Sequence, residues 1–343
     1  MNILLIGAGL IGQEGLLAIQ KIALDYSLTI DINVVDTNEG LLAEIKERFD
    51  VQVNNNINEE LVKNPDWVFI STPHSVAPDI IIDSYNYTKN VLVEKPLGRN
   101  LEECNKILKE KPDDVNLYVG LNYRFYEGIN LLLNHVRKNL FGELISVNMI
   151  LGHGNSPGME NSWKLDPIMC GGGCLIDPGV HLLDIALSIS NSELKVKGGS
   201  LWKGFWKTGI EEEAHIILGD NNDVIFNIQT SLNRWRSSFR LEVNGTEGYG
   251  IVSGRGRSYG DQSYKTGARW GWESGNSQAE SETYHLDKCK AEDSFYEEIV
   301  SLFSLPSKKI KDSKIYNADH QSGKEVMQLL RECRKELQLK DIV

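Results

Sequence analysis

In the first third of the chain, short apolar runs alternate with stretches of helical period. Residues 2–6 are an apolar run of the kind that forms a strand buried on both faces of a parallel sheet. Similar runs occupy 32–36, 67–73, 90–96 and 116–122. Between them the apolar positions return at helical spacing: after Gly12 through Ala23, at Leu41, Leu42, Ile45 and Phe49, over 80–85, and over 101–108. Such strand–helix alternation predicts a doubly wound parallel sheet. Beyond Asn122 the pattern changes. A helix is expected over 131–140, closed by Phe141 and Gly142, and alternation over 143–151 predicts a strand. Residues 214–218 and 224–230 flank the polar turn 220–223, and 239–243 and 249–252 flank Asn244 and Gly245, which reads as two antiparallel hairpins. Helices over 293–303 and 321–337, with Leu305 and Pro306 between them, close the chain.

A length of 343 residues suits two domains, and the change of pattern places the boundary at 1–122 and 123–343. The C-terminal helices have the option of packing back on the first domain. A net charge of −12 argues against nucleic acid as a general partner, because phosphate backbones need a basic footprint. No apolar run reaches 18 residues, so no membrane span is expected. The N-terminus has no basic leader and its apolar run is broken by Gly7, Gly9 and Gly12, so no signal peptide is read. Five scattered cysteines (104, 170, 174, 289 and 333) without a Cys-x-x-Cys pair fit a reduced, cytoplasmic setting. Cys170, Cys174, His153 and His181 match no common zinc spacing, and no metal is expected.

The first strand runs into Gly7-Ala8-Gly9-Leu10-Ile11-Gly12. In a dinucleotide fold the first glycine turns the chain, the second lets backbone approach a diphosphate, and the third lets helix pack on strand. The second strand ends at Asp36, 24 residues after Gly12, where an acid can accept both ribose hydroxyls of NAD and would repel the 2′-phosphate of NADP. As an isolated residue Asp36 also reads as a strand-end turn. Ligands of such sheets sit at the carboxyl ends of strands, which brings in Ser71, Thr72, Pro73, His74, Glu94, Lys95, Pro96 and Asn122. Lys95 closes an apolar strand. It is either a cation for a substrate oxygen or the partner of Glu94.

Residues 171–184 open with three consecutive glycines and then carry Asp177, Pro178, His181 and Asp184. Asp177 and Pro178 read as N-cap and first residue of a helix, which would put Asp177 and His181 on one face of its first turn. A histidine so placed can be tuned for proton transfer. The alternative is a cap and a satisfied first-turn histidine. The loop 152–164 offers His153, Trp163 and Lys164 as walls of a sugar pocket, or is a solvated loop with one buried tryptophan. Two stretches join arginine to aromatics: Arg234, Trp235 and Arg236, then Arg255 and Arg257 through Arg269, Trp270 and Trp272. In an acidic chain these suggest an anionic ligand, or else salt bridges at a subunit interface.

These motifs resemble the Gfo/Idh/MocA oxidoreductases, over nearly the whole chain. The resemblance is carried by the glycine-rich turn, Ser71-Thr72-Pro73, Glu94-Lys95-Pro96, Gly120 through Asn122, Tyr123 and Arg124, and the Gly171–Asp184 motif. His74 and Ala77 depart from the Asn and His found in many members. The resemblance implies a Rossmann domain followed by an α+β domain with an open, mostly antiparallel sheet. It further implies hydride transfer between NAD (NADP being the weaker choice) and a sugar or polyol carbon, with Lys95, Asp177 and His181 catalytic. Tyr123, Arg124, His153, Trp163, Lys164, Arg234, Arg255 and Arg257 are the further substrate candidates. The expected substrate is a phosphorylated or nucleotide-linked sugar. A free sugar or polyol, lyase or glycosidase chemistry through transient oxidation, and a non-catalytic NAD sensor stand as alternatives. Retention of Lys95, Asp177 and His181 together speaks against the sensor. An open sheet face also predicts a homodimer or homotetramer.

Overall fold

The computed structural model describes residues 1–190, 192–269, 281–286, 291–307 and 316–339. Six parallel strands make the first sheet: β1 (Asn2–Ile6), β2 (Asp31–Val35), β3 (Gln52–Asn54), β4 (Trp67–Ile70), β5 (Asn90–Glu94) and β6 (Asn116–Gly120). Their order is β3-β2-β1-β4-β5-β6. Strands β1, β4 and β5 are apolar at nearly every position because helices cover both faces of the sheet. The short β3 and the helix Ile57–Leu61 were not legible from periodicity, since each is too short to complete a pattern.

The helix Leu10–Asp25 lies on one face of this sheet, where Leu16, Ile19 and Ile22 pack on Ile3 and Leu5. On that same face the helix Ala291–Leu302 returns from late in the chain and buries Tyr296, Ile299 and Val300. The helix His320–Glu336 packs against the helix Leu101–Glu110 and against β6. The late helices thus finish a sheet that the first 120 residues leave half covered.

The second sheet has eight strands: β7 (Leu144–Gly152), β8 (Lys195–Trp202), β9 (Glu213–Gly219), β10 (Ile225–Ser231), β11 (Ser238–Gly245), β12 (Gly248–Ser253), β13 (Ser263–Ala268) and β14 (Ser281–His285). Their order is β14-β13-β12-β11-β7-β10-β9-β8, antiparallel except where β10 runs parallel to β7 at the centre. One face is core: Val147, Met149, Leu151, Phe226, Ile228, Leu241 and Val243 point inward at alternate positions. Against it lies the helix Val180–Ile189, whose Leu182, Leu183, Ile185 and Ile189 are buried. Each such side chain contributes roughly 1.5–3 kcal/mol by leaving water. That burial fixes the glycine motif between the two sheets.

Candidate functional site

The glycine-rich turn is built for close approach. A Cβ at Gly7 would lie 2.6 Å from the Ser71 carbonyl oxygen, and one at Gly12 would lie 2.0 Å from that of Gly7. Those two glycines are demanded by packing. At Gly9 nothing lies within 4 Å, so the helix that begins at Leu10 opens onto free space. Gly9 is its N-cap, with no side-chain cap and no acidic residue in the first turn. An uncapped helix N-terminus facing open space fits a diphosphate. The Asp36 carboxylate accepts from the Ala8 N–H at 2.8 Å and the Asn38 N–H at 2.9 Å, which holds it beside the turn. The Thr72 hydroxyl is buried with no hydrogen-bond partner, a further polar group awaiting a ligand. These residues fit NAD, with Leu10 and Ile11 supplying the first helical N–H groups.

The ends of β4 and β5 face the second sheet's glycine motif. Lys95 donates to Asp177 Oδ1 at 2.5 Å, and Lys164 Nζ lies 3.4 Å from Asp177 Oδ2. The partner of Lys95 is therefore Asp177 rather than Glu94. Both Lys95 and Asp177 precede proline through a cis peptide bond, with Pro96 and Pro178 respectively. Asp177 is not the cap of the following helix. That helix starts at Val180 with Gly179 as N-cap, and the Asp177 carboxylate is instead taken by two ammonium groups. Burial alone would raise the Asp177 pKa, but Lys164 and Lys95 override it and hold the carboxyl well below its usual range.

His181 is buried, and its ring stacks on Tyr123 at 3.8 Å between centroids. Its Nδ1 is buried without a hydrogen-bond partner. Burial, reinforced by the Lys95 charge, lowers its pKa well below the ordinary value, so the imidazole is neutral at neutral pH. It has the charge state of a base. Burial and Lys95 likewise bring His74 down to about 4. Its Nδ1 is 2.8 Å from the Cys170 carbonyl, and its ring meets Trp163 edge-on at 4.9 Å. His74 and Trp163 thus wall the site together. His153 sits on the same side, its pKa lowered chiefly by burial. Burial pushes Glu94 up to about 7, against the pull of Lys95 and Lys164.

Three expected ligand contacts are used otherwise. Arg124 forms a two-pronged bond to Asp184, at 2.8 Å and 2.5 Å, so its guanidinium is bound inside the fold. Arg257 pairs with Glu14 on the helix Leu10–Asp25. Asn122 donates to Ser294 Oγ at 3.2 Å, joining the turn after β6 to the returning helix. In each case the competing partner lies far away in sequence, which spacing does not reveal. Arg255 does reach the site. Its guanidinium lies 5.2 Å from the Tyr123 ring and 3.8 Å from the Tyr259 ring, and it donates to the Tyr126 hydroxyl at 3.2 Å. Arg234 packs against Gly152, and its backbone N–H donates to the His153 carbonyl at 3.2 Å. Trp270, Trp272 and Cys289 lie outside the described residues.

Two supporting groups escaped the sequence reading. Glu211 accepts from the N–H groups of Gly173 and Leu175 at 2.9 Å and 3.3 Å, and a Cβ at Gly173 would lie 1.9 Å from the Glu211 carbonyl oxygen. The third glycine is there to let this strand end approach. Tyr126 joins Tyr259, which belongs to the arginine–aromatic stretch itself, in the aromatic seat of Arg255, and only the fold brings Tyr126 there. Among the described residues no cluster of metal-ligating side chains occurs, and no helix is long and apolar enough to cross a membrane.

Residues 1–120 match the model of an oxidoreductase family with an NAD-binding Rossmann fold, and residues 131–250 match the GFO/IDH/MocA C-terminal domain. A levoglucosan dehydrogenase of Pseudarthrobacter phenanthrenivorans is 24% identical over 284 residues, 72% of each chain. A myo-inositol 2-dehydrogenase of Thermotoga maritima is 28% identical over 259 residues, 72% of this chain and 74% of that one. Among solved structures, a levoglucosan dehydrogenase in complex with NADH and levoglucosan superposes with a TM-score of 0.83 at 18% identity, over 98% of this chain and 97% of that one.

Proposed function

The chain belongs to the Gfo/Idh/MocA oxidoreductases, and from that premise we propose that it oxidises a secondary hydroxyl of a sugar or polyol with NAD⁺. The observation that carries this reading is the Lys95–Asp177–His181 group, assembled at the strand ends beside the glycine-rich turn. The cofactor supplies the hydride acceptor. His181, neutral and buried, takes the hydroxyl proton. The Lys95 ammonium stabilises the negative charge that develops on that oxygen. Asp177 orients Lys95 and Lys164 and keeps Lys164 charged. The turn Ser71–His74 and the Glu94–Pro96 segment would line the nicotinamide side, with Asp36 on the adenosine ribose.

The two relatives are named for uncharged compounds. A second reading gives the substrate an anionic group, phosphate or nucleotide diphosphate, and one observation favours it. Arg255 and Arg234 each keep a buried Nε without an acceptor, and Arg255 lies against the ring that stacks on His181. With Arg124 and Arg257 already paired to carboxylates, this reading rests on fewer arginines than the sequence suggested. The open face of the second sheet exposes Ile145, Ile217 and Ile225, and we propose it as the surface of a homo-oligomer, to be measured by sedimentation.

The test is NADH absorbance with NAD⁺ and matched panels of free sugars, polyols, sugar phosphates and nucleotide sugars. Turnover that His181→Ala abolishes supports the assignment, and the panel that turns over decides between the readings. Product without net NADH would move the protein to lyase or glycosidase chemistry. NAD binding with no product of either kind would overturn the proposal.

A further inference from the structure

The segment 254–260, between β12 and β13, carries two arginines that reach opposite halves of the molecule. It turns through Gly254, Gly256 and Gly260 at φ of +73°, +86° and +80°. Arg257 itself sits at φ +51°, a left-handed conformation that costs a residue with a Cβ unless its surroundings hold it there. Arg255 leaves this segment toward the sugar side. It lies over Tyr123, and Tyr123 stacks on His181. Arg257 leaves it toward the cofactor side and pairs with Glu14.

Glu14 is in the second turn of the helix whose uncapped N-terminus faces the diphosphate space. Its side chain is only 10% exposed, whereas that of Arg257 is 50% exposed. A carboxylate so nearly buried needs a partner, and here the partner comes from the other domain. The contact also explains how a non-glycine residue is held at positive φ in a segment otherwise turned by glycines.

We propose that the Arg257–Glu14 pair is a positioning contact that holds segment 254–260 on the cofactor helix and so sets the sugar site through Arg255 and Tyr123. Arg257 is thus a positioning residue; it acts through its neighbour two positions earlier. The inference rests on the sugar site proposed above. The guanidinium end of the pair is half exposed, which screens its contribution to global stability. Its effect is therefore local and falls on the segment it tethers.

The experiment compares wild type, Arg257→Ala, Glu14→Gln and Arg257→Lys. Amide hydrogen exchange over 254–260 is followed with and without NADH, alongside NADH affinity by fluorescence and steady-state kinetics on the best sugar of the panel. Arg257→Ala and Glu14→Gln are expected to speed exchange in this segment and to raise the sugar KM about three- to fivefold, with kcat and NADH affinity within about twofold of wild type. Arg257→Lys keeps the charge pair and is expected to restore most of both effects. Unchanged exchange and unchanged KM in both charge-removing variants would overturn the proposal. So would a loss of NADH affinity as large as the change in KM, which would make Arg257 a direct cofactor contact. If wild type turns over no sugar, the function proposed above fails, while the exchange comparison still decides whether the pair tethers the segment.

Discussion

Asp177 and Asp184 lie seven residues apart; Asp177 meets a cation from the end of β5, and Asp184 meets one from the 3-10 turn that follows β6. Lys95 reaches Asp177 at 2.5 Å, and Arg124 reaches Asp184 at 2.5 Å and 2.8 Å. The side chains are similarly shielded, at 13% and 17% exposure for the first pair and 14% and 1% for the second. The difference lies in how the bonding capacity is used. The guanidinium fork takes both oxygens of Asp184 and gives a further bond to the Tyr316 carbonyl at 3.3 Å. It leaves little for a ligand. In the other pair one carboxylate serves two ammonium groups, beside a neutral imidazole with an unpartnered nitrogen. Each ammonium has donors to spare. One pair is an internal strut, and the other is a site with unfilled valence.

The largest expected effect breaks the strut. Asp184→Asn leaves the buried Arg124 charge uncompensated, which costs about 3–5 kcal/mol. Chemical denaturation should show that loss, with NAD⁺ still bound by whatever remains folded. Burial already raises the Asp184 pKa against the pull of Arg124, so the bond matters more for what its loss exposes than for its net gain. A stability loss under about 1 kcal/mol would remove the distinction drawn here.

Next in size is Lys95→Ala. It removes the cation opposite the developing oxyanion and is expected to lower kcat about 10²–10³-fold, or roughly 2.7–4 kcal/mol of barrier. Stability should fall less than in Asp184→Asn, because Lys164 still compensates the Asp177 carboxylate that Lys95 leaves. Melting temperature and NADH formation measured on the same sample separate the two roles. A variant that loses stability and activity together would make Lys95 a second strut.

The same comparison shows what the sequence could not resolve. Glycine spacing, Asp36, Lys95 and the Gly171–Asp184 motif were legible because each needs only its own residues and a strand end. Arg124 and Arg257 looked like ligand contacts because arginine type and local context are the same for a strut and a site. Their partners, Asp184 and Glu14, lie 60 and 243 residues away. Asp177 was read as a cap for the same reason: its competing partner Lys95 is 82 residues distant. The outer strands β8, β13 and β14 of the second sheet were missed. β8 alternates only between exposed and half-buried positions and has no buried one, unlike the central strands.

A smaller effect sharpens the reading of Asp177. Lys164 is the more distant of its two ammonium partners, at 3.4 Å, and its own pKa is raised mainly by Asp177. Lys164→Met should keep hydride transfer within about threefold while raising the sugar KM about five- to tenfold, if its spare donors bind substrate. An unchanged KM would give Lys164 to Asp177 alone.

The smallest effect concerns the carboxyl that the site keeps titratable. Glu94 ends β5 and lines a small cavity with Glu298 of the returning helix. Burial pushes the Glu94 pKa up to about 7, with Lys95 and Lys164 opposing. The raised value means a neutral carboxyl below pH 7 and an anion above it. An anion beside the nicotinamide end attracts the cationic ring of NAD⁺ and does nothing for the neutral ring of NADH. NAD⁺ should therefore bind about two- to fivefold more tightly at pH 8 than at pH 6, with NADH affinity flat over that range. Glu94→Gln should flatten the NAD⁺ curve. Calorimetric titration of both cofactors across pH 6–8 makes the comparison. Equal slopes for NAD⁺ and NADH would show that Glu94 does not sense the nicotinamide charge. Persistence of the NAD⁺ slope in Glu94→Gln would assign the titration to another group.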